Sequence, residues 1–284
     1  MTVAPFQLLR FDEVPEVRSK IAGSMTIQQL AATTVALILA PLFAWTQTDD
    51  AAMAAATTPP IVSDRFNTGK LDTSKWMASN SPAPGNISGV NYGSFIPANV
   101  DLSKGMLCLK LQQQQGPNGV HSVGGEIQSL TTLGYGTYEW VMRASSTSST
   151  PGGAGSVASG QISGAFIFVN NSQTEVDFEV EGQNPNTLWM TNWTSVTQKQ
   201  YSSTAVVSPQ NGFHHYKFVW GPGKIDFFLD GKFVSRHTVH VPKAPAYILI
   251  NHWGTNSKGW GGKATPGVQR YLYISSFKYT ASPF

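Results

Sequence analysis

The sequence predicts an all-β protein, built as an antiparallel sandwich or jelly roll. After residue 60, most segments alternate polar and apolar residues, which is the period of a β-strand. Turn signals separate these segments, and the strongest is Asp230-Gly231 between two alternating runs. No segment in this region keeps a period of 3.6 residues. Many short strands joined by turns are typical of two packed antiparallel sheets.

The first part of the chain differs in composition from the predicted β domain. Residues 30–45 contain no charged side chain and follow Arg18 and Lys20. This apolar run of about 16 residues suits a signal-peptide core better than a membrane span of about 20. An uncleaved N-terminal anchor is the competing interpretation. We therefore expect a secreted or periplasmic protein, or one that residues 30–45 anchor to a membrane, with residues 1–56 as export segment and linker.

Residues 57–284 are predicted to form one folded domain. Its Ser- and Gly-rich stretch, residues 145–160, is expected to be a long surface loop because strand patterns flank it. A turn is expected at Asn170-Asn171. The predicted strands, in order, are residues 107–111, 136–143, 164–169, 175–179, 213–220, 224–229, 232–235, 247–252 and 271–279.

The strand at residues 175–179 carries the clearest chemical signal. Alternation places Glu175, Asp177 and Glu179 on one face, and Val176 and Phe178 on the other face, toward a core. Ionising like charges this close together is costly, so the row is best explained by proton transfer and nucleophilic attack. A solvated strand face and a hard-cation site made of carboxylate oxygens are the alternatives.

Glycoside hydrolysis uses such an arrangement. A retaining enzyme needs a nucleophile and an acid/base whose carboxyl groups lie roughly 5–5.5 Å apart. The Cα atoms of Glu175 and Glu179 should lie about 13 Å apart on a strand, so their side chains must lean toward each other. Asp177 between them could hold a proton or hydrogen-bond the nucleophile.

Four tryptophans follow this strand among Gly, Asn and Thr residues: Trp189, Trp193, Trp253 and Trp260. Indoles offer flat apolar surfaces with a polar edge, as the faces of sugar rings require. Packing in the core or in loops is the alternative for each tryptophan, but the group as a whole favours a polysaccharide cleft.

Composition and motifs argue against several other classes. The formal net charge is +3 without a Lys/Arg run, so binding to nucleic acid has little support. No phosphate-binding glycine motif and no Gly-x-Ser-x-Gly motif occurs, which disfavours nucleotides and a serine hydrolase. Cys108 is the single cysteine, in an apolar strand pattern, so we expect a buried thiol and no intramolecular disulfide. His214-His215 lacks partners at metal-binding spacing.

These residues resemble glycoside hydrolase family 16, the family of lichenases, laminarinases and xyloglucan endotransglycosylases. Glu175-Val-Asp-Phe-Glu179 matches the family signature E-[I/V/L]-D-[I/V/F]-E. The resemblance runs in order from about residue 61 to about residue 280. The other similar segments are residues 64–67, 71–76, 124–127, 134–139, 213–220, 225–231 and 250–253.

The resemblance implies a concanavalin-like β-jelly roll with a substrate cleft across the concave one of two antiparallel sheets. It implies that Glu175 is the nucleophile, that Glu179 is the general acid and then the base, and that Asp177 assists the nucleophile. It also assigns sugar subsites and one supporting histidine by position. The subsite residues would be Glu126, Trp193, Asn251 and Trp253, and the supporting residue would be His214.

Some positions depart from the family pattern. Gln173-Thr174 precedes the signature where lichenases usually carry Trp-Asp, and Gln128 stands where many have Arg. The last strand lacks the aspartate that often helps to bind structural calcium, so we expect no metal and no cofactor. One cysteine also rules out the lichenase disulfide.

The resulting expectation is an exported retaining endo-β-glucanase that cuts β-1,3/1,4- or β-1,3-glucan through a covalent glycosyl-enzyme. A transglycosylase of the same family and a non-catalytic glucan-binding module are the alternatives. We expect a polysaccharide as the partner, no nucleic acid or nucleotide, and a monomer.

Overall fold

The computed structural model describes residues 63–169 and 172–282, and it confirms the predicted all-β fold. One 3₁₀ helix, Pro97–Asn99, interrupts the strands. The strands are β1 (Ser63–Asp64), β2 (Trp76–Ala78), β3 (Ser81–Pro82), β4 (Asn91–Phe95), β5 (Val100–Asp101), β6 (Leu107–Gly116), β7 (Gly119–Leu133), β8 (Gly136–Ser146), β9 (Gln161–Val169), β10 (Thr174–Glu181), β11 (Thr187–Ser195), β12 (Gln198–Ala205), β13 (His214–Gly221), β14 (Lys224–Leu229), β15 (Lys232–His237), β16 (Ala246–Gly254) and β17 (Arg270–Ala281).

Two large antiparallel sheets form the domain. The front sheet has the order β2, β7, β16, β9, β10, β11, β12. In the back sheet, β17 lies between β6 and β1 on one side and β8 on the other, and β13, β14 and β15 follow β8. The first half of β7 leaves the front sheet and pairs with β6 and, in parallel, with β4.

The core lies between the two sheets, and β10 shows how the sequence builds it. Val176, Phe178 and Val180 are buried and point toward the back sheet, as their alternation predicts. The Phe178 ring lies 6.1 Å from Trp140 on β8 and 5.6 Å from Phe227 on β14, measured between ring centroids. Burying one such side chain stabilises a fold by about 1.5–3 kcal/mol. This apolar face fixes the carboxylates of β10 on the opposite face of the sheet.

The Ser/Gly-rich loop is shorter and more ordered than its composition predicts. β8 continues to Ser146, so the loop spans residues 147–160. Arg143 on β8 is completely buried, and its guanidinium donates to the carbonyl oxygens of Thr150 at 3.1 Å and Gly153 at 2.7 Å. The buried guanidinium of Arg143 therefore binds the loop backbone and orders it.

Strands β11 and β12 were not predicted from the sequence. Their alternation is partly hidden because Asn192, which is polar, takes an inward position after the buried Leu188 and Met190. The amide of Asn192 donates to the carbonyl oxygen of Val239 at 3.0 Å, and this bond satisfies it in the interior. These two strands complete the front sheet beside β10.

Several expectations fall outside the described residues: the export segment at residues 1–56, the apolar run at residues 30–45 and the turn at Asn170-Asn171. Within residues 63–169 and 172–282, no helix has the length and apolarity needed to cross a bilayer. Cys108 is buried as predicted, and desolvation raises the pKa of its thiol to about 11.

Candidate active site

The acidic residues lie on the central part of the front sheet, on strand β10. β10 pairs with β9 on one side and with β11 on the other, and all eight of its residues are buried. Glu175, Asp177 and Glu179 are 1%, 0% and 2% exposed. Their carboxyl groups therefore lie in a poorly hydrated environment.

One cross-strand row collects several of the predicted site residues. Residues that pair across an antiparallel ladder point to the same face. Glu179 pairs with Trp189 on β11 and with Gly164 on β9. Gly164 pairs in turn with Asn251 on β16, and Asn251 pairs with Glu126 on β7. The register thus brings together acidic, amide and indole groups from four strands, with Gly164 of β9 between them.

A direct hydrogen bond joins Glu126 to Asn251. The Nδ2 atom of Asn251 donates to Oε2 of Glu126 at 3.1 Å, and the hydroxyl of Ser79 donates to Oε1 at 2.7 Å. A carboxylate can only accept, so Glu126 fixes which end of the Asn251 amide faces it. The Oδ1 atom of Asn251 consequently points over Gly164, where a Cβ atom would lie 2.6 Å from it. The missing side chain at Gly164 thus makes room for the Asn251 amide beside Glu179.

Trp193 lies beside Glu175 and also contacts Asp177. It pairs with Glu175 across the β10–β11 ladder and is 5% exposed. Its Nε1 atom donates to Oδ2 of Asp177 at 3.1 Å. Trp193 therefore orients the middle carboxylate of the trio, a role that its position in the sequence did not reveal.

The other tryptophans differ in their surroundings. Trp253 lies two residues after Asn251 on the same face, but it is 1% exposed and packs with Phe95 and Ile162. Its ring contacts the backbone at Gly85, where a Cβ atom would approach to 2.6 Å. Trp189 and Trp260 are only half-buried and form an edge-to-face pair with centroids 5.8 Å apart. This pair stands at the Glu179 end of the site.

His214 lies in the back sheet, so the structure does not bring it to the carboxylates of β10. Its Nδ1 atom is 2.7 Å from Oδ2 of Asp230, and its Nε2 atom is 2.9 Å from the carbonyl oxygen of Val207. Asp230 and Gly231 both have positive φ, as the hairpin between β14 and β15 requires. His214 thus supports this turn.

Glu181 lies on the same acidic face, but its carboxylate binds the backbone that follows β10. Its carboxylate accepts the backbone N–H groups of Gln183 at 2.6 Å and Asn184 at 2.8 Å. These bonds order the turn that follows β10. Among the described residues, no group of three or more His, Cys, Asp or Glu side chains is arranged to hold a metal ion.

Lys199 is a site-face residue that the sequence analysis did not identify. It pairs with Trp193 across the β11–β12 ladder, and its Nζ atom lies 4.5 Å from the centroid of the Trp193 ring. Once β11 and β12 are recognised as a hairpin, alternation alone places Lys199 on the carboxylate face. The sequence alternation therefore indicates the face of Lys199, but only after the pairing of β11 with β12 is known.

Comparison with known proteins agrees with this geometry. Residues 92–268 match the family model described as glycosyl hydrolases family 16. A beta-glucanase of Acetivibrio thermocellus is 30% identical over 191 residues, covering 64% of this chain and 53% of the relative. The chain thus spans about half the length of that relative. An endo-1,3-1,4-beta-glycanase, ExoK, of Rhizobium meliloti is 25% identical and covers 77% of this chain and 78% of its own.

Solved structures share the fold at lower identity. The beta-glucanase of Bacillus licheniformis superposes with a TM-score of 0.66 at 23% identity, covering 79% of this chain and all of that one. A non-specific endo-beta-1,3(4)-glucanase, SCLam, gives a TM-score of 0.62 at 18% identity, covering 80% and 92%. Because the family model matches most of the folded domain, the chain belongs to glycosyl hydrolases family 16.

Proposed function

We propose that this protein is a retaining endo-β-glucanase that cuts β-1,3/1,4- or β-1,3-glucan by way of a covalent glycosyl-enzyme. The observation that carries the proposal is the row of buried carboxyl groups of Glu175, Asp177 and Glu179 on one face of β10. Family membership and the beta-glucanase relatives support it.

Two proton-coupled displacements describe the reaction. In the first, a carboxylate oxygen of Glu175 attacks the anomeric carbon, the glycosidic C–O bond breaks, and Glu179 gives its proton to the departing oxygen. In the second, Glu179 removes a proton from water, and the water oxygen attacks the same carbon. The bond to Glu175 then breaks, so both carboxyl groups return to their starting states.

The surrounding residues have separate tasks in this proposal. Asp177, oriented by the Trp193 indole, assists Glu175 by holding a proton or a hydrogen bond between the two glutamates. Glu126 and Asn251, already joined to each other, present polar atoms to sugar hydroxyls beside Glu179. Trp189 and Trp260 offer half-buried indole surfaces to a sugar ring at the same end. Trp253 is covered by the segment at Gly85 and is 1% exposed, so it supports the cleft by packing.

Export and a monomeric state belong to the same proposal. The charge-free run at residues 30–45, after Arg18 and Lys20, supports secretion or transfer to the periplasm by a signal peptide. An N-terminal anchor would place the same domain outside the membrane. Mass analysis of the mature protein would show which form exists.

A product assay tests the activity. Wild-type protein is expected to release reducing ends from mixed-linkage glucan or laminarin, and Glu175→Gln is expected to lose this activity by at least about a thousandfold, since the nucleophile is removed. Glu181→Gln is the matched control, because that carboxylate lies on the same strand face but bonds the following turn.

Other outcomes identify the alternatives. Redistribution of chain lengths without new reducing ends would indicate a transglycosylase. Binding to glucan without any change of the polysaccharide would show a binding module and contradict the proposal. Equal activity of Glu175→Gln and wild type would remove Glu175 from the mechanism.

A further inference from the structure

The charges of the front sheet are distributed very unevenly. Its seven strands carry five acidic residues, all on the site face described above: Glu126, Glu175, Asp177, Glu179 and Glu181. On the same seven strands, Lys199 is the only lysine or arginine. An acidic sugar that crosses these strands is repelled by the carboxylates and attracted by the Lys199 ammonium.

Lys199 holds a defined position relative to the proposed nucleophile. It lies on β12, the last strand of the front sheet within the described residues, in line with Trp193 and then Glu175. Two strand spacings separate Lys199 from Glu175, which is about 10 Å between Cα atoms. Lys199 is therefore too far away to touch the cleaved bond, but it lies where the polysaccharide continues if it crosses the strands.

Aromatic rings hold the lysine side chain on this face. Its Nζ atom lies 4.5 Å from the centroid of the Trp193 ring and 5.8 Å from that of Tyr201. Cation–π contacts of this kind orient the ammonium group. An ammonium has three N–H donors, so it can bond a carboxylate while it faces the rings.

Tyr201 supplies the apolar surface that a sugar ring needs. It pairs with Thr191, which pairs with Asp177, so it shares the site face, and it is 60% exposed. An exposed aromatic side chain next to a cation, on the edge strand of a sugar-cleaving sheet, combines stacking with charge recognition.

We infer that Lys199 and Tyr201 form an outlying subsite for a sugar unit that bears a carboxylate, either a C6 uronate or an acidic half-ester substituent. The inference rests on the proposed function, because it extends the same cleft by one subsite. Lys199 acts there as a specificity-determining residue. It offsets the repulsion from the carboxylate row for a substrate that carries negative charge.

Matched substrates test the subsite. We would measure kcat/KM on plain mixed-linkage glucan, on the same glucan partly oxidised at C6, and on the same glucan carrying succinyl half-esters. Lys199→Gln is expected to lower the ratio of acidic to neutral kcat/KM roughly ten- to a hundredfold, as expected for one charged hydrogen bond. Lys199→Arg should restore most of the ratio, and added salt should reduce the wild-type ratio. A loss on only one acidic substrate identifies which carboxylate is bound.

Lys217→Gln is the matched control. Its Nζ atom also lies over an aromatic ring, 4.1 Å from the centroid of Phe228, but on the back sheet. This variant should keep the wild-type ratio. If Lys199→Gln lowers activity equally on acidic and neutral glucans, Lys199 only positions Trp193, and the subsite is disproved.

A binding measurement separates this inference from the proposed function. If the wild-type protein cleaves none of the three substrates, the proposed function fails and binding decides the subsite. In the Glu175→Gln background, a roughly ten- to hundredfold weaker affinity of Lys199→Gln for oxidised glucan, with an unchanged affinity of Lys217→Gln, supports the subsite. Equal affinities with and without Lys199 overturn it.

Discussion

Gly164 shows how a single residue shapes the site. It lies in the row between Glu179 and Asn251, and it has an ordinary strand conformation. A strand interior normally prefers a β-branched or aromatic residue, so glycine at this position lowers the strand propensity of β9. The space that it leaves is taken by Oδ1 of Asn251.

Gly164→Ala should therefore impair activity more than stability. The added Cβ would lie 2.6 Å from Oδ1 of Asn251 and 3.4 Å from the Phe166 ring, so the Asn251 amide must move. We expect kcat/KM on glucan to fall roughly 10- to 100-fold, because small displacements of positioning groups have effects of that size. Gly152→Ala is the control, since a Cβ there meets nothing within 4 Å. Unchanged kinetics of Gly164→Ala would show that the space beside Glu179 is not needed.

The residue scale also shows the limits of a sequence motif. Alternation correctly separated Val176 and Phe178 from the carboxylates, because a strand has only two faces. It could not separate Glu181 from Glu179, although the two lie on the same face of β10. Only the turn after β10 shows that Glu181 accepts backbone N–H groups.

At the scale of elements, a buried arginine determines the order of a whole loop. Arg143 donates to carbonyl oxygens of Thr150, Pro151, Gly153 and Gln210. A Ser- and Gly-rich sequence gives no such order by itself, because its backbone entropy is high. The sequence predicted a loop here, but its fixed conformation depends on a strand residue that faces it.

Replacing this arginine should both destabilise the protein and free the loop. Arg143→Met leaves four partly buried carbonyl groups without their donor, so we expect the free energy of unfolding to fall by about 2–4 kcal/mol. Amide exchange within residues 147–160 should become faster. The control is Arg236→Met, which breaks a pair with Asp226 in which the arginine side chain is 53% exposed and should cost about 1 kcal/mol or less. If urea unfolding shows equal losses in the free energy of unfolding for Arg143→Met and Arg236→Met, this account is contradicted.

At the scale of the whole molecule, two buried histidines make stability depend on pH. Nδ1 of His252 donates to the carbonyl oxygen of Leu109 at 2.9 Å, between the sheets. His237 on β15 joins the two sheets, with Nδ1 2.7 Å from Oδ1 of Asn192 on β11. Desolvation lowers the pKa of His252 to about 3 and the pKa of His237 to about 4.

The sign of the effect follows from these values. Both folded-state pKa values lie below the unfolded value of about 6.5, so the unfolded chain binds more protons between pH 6.5 and the folded pKa. Stability is therefore fully present above about pH 6.5 and is lost as the pH falls. From pH 7 to pH 5, each histidine should remove about 2 kcal/mol from the free energy of unfolding.

Urea unfolding at pH 7, 6 and 5 measures this loss. His252→Gln and His237→Gln should each reduce the pH dependence by about 2 kcal/mol, even if they lower the stability at pH 7. His121→Gln, at an exposed position of β7, should keep the wild-type pH dependence. Equal stability of the wild-type protein at pH 7 and pH 5 would contradict burial of neutral imidazoles.

The sequence by itself determined the fold class, most of the strands and the face of β10 that carries Glu175, Asp177 and Glu179. These properties follow from local rules: side chains alternate along a strand, and Asp-Gly turns end it. The family resemblance added the expected roles of these residues. The missed strands β11 and β12 show where such rules fail, because Asn192 finds its partners only in the folded protein.

The tertiary structure decided everything that depends on register between strands distant in sequence. It joined Glu126 to Asn251, directed the Trp193 indole to Asp177, and placed Lys199 in line with Glu175. It also placed His214 in the other sheet. Pairing across a sheet is a long-range choice made by the packing of both sheets, so no local pattern encodes it.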